Sequence, residues 1–358
     1  MGENEDVLVT VDRGTGLISL NRPKAINSLT HSMVSAVSGA LTEWRDDGAV
    51  RVVVLSGEGE RGLCAGGDIV DVVYKSARGD HGIASSFWWD EYLMNAQIAR
   101  YPKPFVSLMD GIVMGGGVGV SAHGSVRVVT DTTKMAMPEV GIGFIPDAGG
   151  TYILSRTPGL LGHHAALTGA PFGAGDAIAM GFADHFVEHD TLAEFKNAII
   201  ADGIDAALAA HATEPPASEL LTQREWIDEC YAGETIADIV AALRGHDAGP
   251  AGHTGGTAAV DAANLIMTRS PVSLSVALEA VRRAAKLDTL EDVLRQEYRT
   301  SCGSLNSHDL VEGIRAQVID KDRNPKWSPP SPAAVTQADV EAYFAPQNPD
   351  LTFPEEKP

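Results

Sequence analysis

Two carboxylates stand in the apolar, glycine-rich run "MPEVGIGFIPDAGG" at 137–150, Glu139 after Pro138 and Asp147 after Pro146. A stretch this rich in Gly and Ile belongs in an interior or lines a cleft. Burying an unpaired carboxylate there costs several kcal/mol or raises its pKa. The two acids are therefore either helix caps that happen to be neighbours or a working pair in a pocket.

Two small-residue loops offer chemistry that such a pair could use. "RGLCAGGDIV" (61–70) follows the apolar run at 51–56, and "GIVMGGGVGVSAHG" (111–124) holds the richest glycine run of the chain. Each leads from a strand into a helix start, where backbone N–H groups are exposed and the dipole favours negative charge. An oxyanion hole needs two such donors aimed at one developing negative oxygen. Either loop alone reads as a tight turn.

Other motifs are weaker. Gly117-Val-Gly119-Val-Ser-Ala122 matches a dinucleotide fingerprint, but that fingerprint needs a strand feeding directly into its first glycine, and the run at 104–109 ends well before Gly117. Ser121 sits in G-x-S-x-H, short of a nucleophile elbow, and reads as a small packed helix residue. The histidines, among them His163, His164, His185 and His189, show no metal-ligand spacing, so no metal site is predicted. Cys64 has no identifiable base beside it and reads as a small buried residue.

These residues must be positioned by the elements around them. Residues 7–20 predict two strands about a Gly14–Gly16 turn, and a helix follows from the N-cap Thr30 to about Trp44. Runs at 51–56, 104–109, 126–130 and 133–137 read as strands, with helical stretches at 68–78 and 84–100 and a helix from about Gly150. The alternation over 1–190 predicts an α/β core. Residues 191–358 predict a mainly helical C-terminal region, with a flexible loop near 245–256, a proline-rich extended stretch from Asp320 and a last helix near Gln337.

The 358 residues carry 48 acidic against 27 basic side chains, a net charge of −21. A sequence-independent nucleic-acid binder or an anionic-membrane binder needs a basic face, so both are disfavoured. The three scattered cysteines, Cys64, Cys230 and Cys302, fit a reducing compartment. "MGENEDVLVT" has neither a basic n-region nor an apolar h-region, and no apolar run reaches transmembrane length. A cytoplasmic protein is expected.

With both loops and the acid pair together, the sequence resembles the crotonase (enoyl-CoA hydratase/isomerase) superfamily. The resemblance is carried by "LNRPKAINSLT", "RGLCAGGDI", "DGIVMGGGVG" and "MAMPEVGIGFIPDAGGTYIL". It implies a crotonase-like ββα superhelix core in which Gly67 and Gly116 supply the oxyanion N–H groups. It implies coenzyme A contacts at Lys24, Ala25, Ala65, Gly67, Asp68 and Ile69. It also implies a small-molecule acyl-CoA substrate with no separate cofactor, coenzyme A arriving within the substrate, and a homo-oligomer such as a trimer.

Hydratases of that superfamily carry a catalytic Glu where this chain has Gly119, which can neither hold nor activate water. "SHDLVEGIRAQVIDKDRNPKW" (307–327), with "LCAGGD" and "PDAGG", is similar to the 3-hydroxyisobutyryl-CoA hydrolase branch; residues 191–300 match only in helical character. That resemblance implies thioester hydrolysis in valine breakdown. Glu139 would be nucleophile or general base, and Asp147 would hold the water or the substrate hydroxyl. Glu91, in "FWWDEYLMNAQ", reads by itself as a solvated helix acid, whereas the resemblance implies that it lines the substrate site together with Gly116, Glu139 and Asp147. The tail at 257–327 is expected to pack on the core or on a neighbouring subunit. Another crotonase reaction, hydration or isomerisation, and a non-catalytic CoA-binding role are the rival readings.

Overall fold

A computed structural model describes residues 5–246 and 255–354. Most of the loop expected at 245–256 thus lies outside the described residues; the helix Ile236–Gly245 takes in its first position and the helix Gly255–Ile266 its last two. The chain forms two compact units whose segments alternate along the sequence. The first comprises Met1–Asp68, Asp90–Ala136 and Pro171–Ser218; the second comprises Ile69–Trp89, Met137–Ala170 and Glu219–Pro358.

The first unit holds every described strand. They are β1 (Val7–Asp12), β2 (Thr15–Leu20), β3 (Val52–Gly57), β4 (Phe105–Met109), β5 (Ile112–Met114), β6 (Val126–Val129), β7 (Lys134–Ala136), β8 (His185–Val187) and β9 (Ala212–Thr213). Seven of them make one sheet in the order β1-β2-β3-β4-β6-β8-β9, parallel except for the hairpin β1–β2 and the closing pair β8–β9. The register places Leu17 beside Val54, Val54 beside Val106, and Leu108 beside Val128. Val54, Val106, Leu108 and Val128 share one apolar cluster with Phe195, Ile199 and Ala207 of the helices Leu192–Asp202 and Ile204–His211. Burial of both strands and helices explains why the strands read as continuous Val/Leu runs.

Thr30 caps the helix His31–Arg45 as expected, its hydroxyl accepting the Met33 N–H at 3.3 Å. The short strand β5 is not legible as one in the sequence, because "GIVM" merges into the glycine run. It pairs in parallel with β7 in a separate two-stranded sheet, Val113 opposite Met135. A strand therefore does lead up to the glycines, closer than expected. It stands outside the main sheet, so the dinucleotide reading gains nothing from it.

The second unit is built of helices, 3-10 turns and extended segments. The helices Pro271–Ala284 and Leu290–Ser304 are buried along most of their length, and the Gln296 side-chain amide donates to the Ala280 carbonyl at 3.0 Å. The helical tail packs on residues 139–151, as the expected packing on the core requires. Ser270 N donates to Val140 O at 3.2 Å, and Gly149 N donates to Glu297 at 2.6 Å. Gly143, at φ +75°, lies so close to the helix start at Asp309 that an added Cβ would stand 2.0 Å from the Asp309 carbonyl oxygen. Only glycine fits that backbone conformation and that approach. Among the described residues no helix is long and apolar enough to cross a membrane.

Candidate active site

In the first unit, the loop 61–68 and the glycine triplet meet. Leu29 and Gly67 form a parallel bridge in which Leu29 N donates to Gly66 O and Asp68 N to Leu29 O, each at 2.8 Å. That pattern uses both polar groups of Leu29 and turns the N–H of Gly67 to the opposite side. Gly116 opens the helix Gly116–Ser121, so its N–H has no acceptor within that helix. An added Cβ at Gly116 would stand 3.3 Å from Gly67 N and 2.5 Å from Glu91 Oε1. Gly67 N and a carboxylate oxygen of Glu91 thus stand around a point where the chain has no side chain, at the start of the Gly116 helix.

Glu91 is 2% exposed, which sets aside the solvated-acid reading. Its helix, His81–Ala99, is fastened to the glycine helix by Asn95. With its amide nitrogen facing them, Asn95 donates to the carbonyls of Glu91 at 3.3 Å and Gly119 at 3.1 Å. Gly119 is itself buried in that helix.

Five of the six expected coenzyme A contacts belong to the same unit. Lys24 and Ala25 lie in the 3-10 turn Pro23–Ala25, Lys24 exposed, and Ala65 is exposed on the neighbouring loop. Ala65 N donates to Ile26 O at 2.9 Å, which ties the two segments together. Asn27, buried and at φ 54°, braces them further by donating to the carbonyls of Glu58 and Gly62, each at 3.1 Å. Asp68 is held by Arg22, whose guanidinium is 3.0 Å from its carboxylate and also donates to Ser28 O at 2.5 Å. Within "RPK" the resemblance singles out Lys24, yet Arg22, together with Asn27, is what holds the loops. Ile69 opens the helical stretch Ile69–Tyr74 and belongs to the second unit.

Both acids of the opening motif lie in the second unit, and each is 6% exposed. Glu139 starts the 3-10 turn Glu139–Ile142, and its carbonyl accepts the Phe144 N–H at 3.1 Å. Trp88 stacks on Phe144 with centroids 5.3 Å apart and an interplanar angle of 12°, pinning the apolar span between the acids. Asp147 is followed by two left-handed residues, Ala148 at φ 53° and Gly149 at φ 80°. From the tail, Ser270 N donates to Val140 O at 3.2 Å in this segment, while the Ser270 hydroxyl donates to Asp309 at 2.6 Å and the neighbouring Arg269 donates to Thr168 O at 2.6 and 2.9 Å.

One acid beside this segment has no signal in the sequence. Glu297 is fully buried and accepts from Gly149 N at 2.6 Å, Thr151 N at 2.9 Å and Thr151 Oγ at 2.5 Å. It lies 146 to 148 positions away in sequence from its donors, and the amphipathic helix around it carries no motif.

The residues set aside from the chemistry behave structurally. Burial pushes the Cys64 thiol up to about 12, and the Ser121 hydroxyl donates to Gly117 O at 2.6 Å. His164 is lowered to about 4 by burial and shares a 2.9 Å hydrogen bond with the Tyr231 hydroxyl.

Comparison with known proteins agrees with this geometry. A family profile described as enoyl-CoA hydratase/isomerase matches residues 15–344. The chain is 35% identical, over 95% of its length and 88% of the relative's, to the human protein named "3-hydroxyisobutyryl-CoA hydrolase, mitochondrial". A Mycobacterium thermoresistibile structure described as a carnitinyl-CoA dehydratase is 68% identical, with a TM-score of 0.94, over 99% of this chain and 100% of that one. A Rhodobacter sphaeroides structure described as an enoyl-CoA hydratase is 40% identical, with a TM-score of 0.89, over 97% and 100%. Matched from the second strand to the last helix, the chain belongs to the enoyl-CoA hydratase/isomerase family and has its crotonase-like α/β fold.

Proposed function

We propose that this chain hydrolyses the thioester of a short 3-hydroxyacyl-CoA, 3-hydroxyisobutyryl-CoA first among them, as in valine breakdown. The observation that carries the reading is the buried glycine at 119 in the helix that follows the triplet. A hydratase of this family places its second acid there, and the curated relative at 35% identity over 95% of the chain is named as a hydrolase of this ester. Water acts on the thioester carbon directly, or on an anhydride formed when Glu139 attacks that carbon first; either way the C–S bond breaks, the thiolate leaves as coenzyme A after taking a proton, and the free acid is released. The developing oxyanion is assigned to the N–H groups of Gly67 and Gly116, each such donor being worth about 3–4 kcal/mol in the transition state. Glu139 is assigned as nucleophile or as the base that deprotonates water, and Asp147 as the group that holds the water or the substrate hydroxyl. Lys24, Ala25, Ala65, Asp68 and Ile69 are assigned to coenzyme A. A homo-oligomer, such as a trimer, and a cytoplasmic location belong to the same reading.

A second reading is dehydration of a 3-hydroxyacyl-CoA. It is favoured by the 68%-identical structure, described as a dehydratase, and by Glu91, a buried carboxylate beside Gly116 able to protonate a departing hydroxyl. One assay separates them. The pure protein is incubated with 3-hydroxyisobutyryl-CoA, and in parallel with carnitinyl-CoA and crotonyl-CoA, while a thiol reagent reports free coenzyme A and ultraviolet absorbance reports the conjugated enoyl thioester. Catalytic thiol release from the first ester supports hydrolysis. Enoyl thioester formed or consumed without thiol release sinks it.

A further inference from the structure

Asp147 is held in a turn that its own sequence does not stabilise. Two left-handed residues follow it, and for Ala148 that conformation costs about 1–2 kcal/mol. The helix that begins at Gly150 has only 5 residues, too few to hold its own first turn. Such backbone persists where surrounding groups over-determine it. Here the surrounding group is the carboxylate of Glu297, which takes the Gly149 N–H on one oxygen and both Thr151 donors on the other.

We propose that Glu297 is a positioning residue for Asp147, fixing the backbone two and four residues beyond that acid and thereby the place of its carboxyl. The inference rests on the reading of Asp147 given above. A neutral side chain of the same shape does not do the same. The amide nitrogen of a glutamine would confront either the Gly149 N–H or the two Thr151 donors, because both oxygens of Glu297 accept. Burial raises the Glu297 carboxyl and the charge of Asp147 adds in the same direction, while the three donors on its two oxygens pull the other way and favour the ionised form. A carboxyl group kept in so costly a place, beside a second acid, is a poor choice for stability alone.

The test is a double-mutant cycle with Glu297→Gln, Thr151→Val and Asp147→Asn, rates being read in single turnovers with enzyme in excess and corrected for the folded fraction. Glu297→Gln is expected to lower kcat by roughly 10–100-fold, with KM within about threefold of wild type, since displacement of a reacting group by an ångström costs up to 10²-fold. Thr151→Val keeps the side-chain shape, removes one of the three donors and should lower kcat by about 3–10-fold. In the Asp147→Asn background, Glu297→Gln should cost less than about threefold, because its effect passes through Asp147. Amide hydrogen exchange at 148–152 should be at least about tenfold faster in Glu297→Gln than in wild type. An equal cost of Glu297→Gln in both backgrounds overturns the proposal, as does a wild-type kcat in Thr151→Val, the arm that decides if Glu297→Gln does not fold. A wild type that releases no coenzyme A sinks the hydrolase reading, and the exchange arm then decides this inference: unchanged exchange at 148–152 overturns it.

Discussion

The Cβ that Gly116 lacks would stand 2.5 Å from a carboxylate oxygen of Glu91. At position 116, assigned above as an oxyanion donor, a methyl would displace the acid and press on Gly67 N at 3.3 Å. Glu91 Oε1 is the far end of a flexible side chain, so the fold can absorb the methyl while the donor geometry cannot. Gly116→Ala should reduce kcat/KM by about 10²–10³-fold, the cost of losing one oxyanion donor, with Tm within a few degrees of wild type. Steady-state kinetics beside thermal melts check this, and a fully active variant would remove Gly116 from the chemistry.

Glu139→Gln should lower kcat by about 10²–10⁴-fold, the usual worth of a general base, and leave coenzyme A binding within about threefold. Isothermal titration with coenzyme A provides the second measurement. A near-normal kcat would mean that Glu139 is a structural acid only.

The place of Glu91 beside Gly116 suits a reader of the substrate's 3-hydroxyl. A site built to bond a hydroxyl rejects the analogue lacking it by up to about 10⁴-fold, because its own polar group is then left unmatched. Wild type should prefer 3-hydroxyisobutyryl-CoA over isobutyryl-CoA, and Glu91→Ala should shrink that preference mainly by slowing the hydroxylated ester. An unchanged ratio of kcat/KM values in the mutant argues against this role.

Asp110 stands where the two glycine loops meet, its carbonyl accepting Leu63 N at 2.9 Å, and its carboxylate accepts from Thr130 at 2.6 Å, Thr132 at 2.7 Å and His189 at 2.8 Å. Partial burial pushes the Asp110 carboxyl up, but these three bonds and the charge of His189 outweigh it and hold it below its usual range. His189 is raised by its hydrogen bond to Asp110, by that residue's charge, and by Asp131 and Asp190. A raised histidine stabilises fully below its unfolded pKa of about 6.5 and loses that contribution as pH rises through the folded value. A depressed aspartate stabilises above about 3.9 and loses that contribution as pH falls through its folded value. The pair therefore contributes most between about pH 4 and 6.5. His189→Ala should cost more stability at pH 5.5 than at pH 8.5 in urea titrations, by under about 1 kcal/mol because the imidazole is largely exposed. Equal losses at the two pH values would remove the ion pair from the account.

In the layered part of the fold the runs at 51–56 and 104–109 are legible because they are short, apolar and bounded by Gly or Pro, and Thr30 announces its helix with a cap. β5 is not legible: three residues of strand inside a glycine run carry no period of their own, and only pairing with β7 makes them extended. β8 and β9 fall in the same class, with three and two residues. The tail reads as helical from its Ala and Leu spacing, but periodicity alone does not say what a helix covers.

By itself the sequence determined the chemistry on offer: two acids in an apolar run, two glycine loops at helix starts, a missing acid at 119, and a charge balance that disfavours nucleic acid. These are local properties, since a glycine's freedom, a proline's φ and an apolar run's need for burial travel with a few neighbouring residues. Tertiary structure decided the rest. It turned Glu91 from an ordinary helix acid into a buried neighbour of Gly116, gave Arg22 and Asn27 the task of bracing the segment 22–28 against the loop 58–68, and brought Glu297 against the residues that follow Asp147. Each of those outcomes is a contact between residues far apart in sequence, and the packing that creates such contacts leaves no mark in the spacing of either partner.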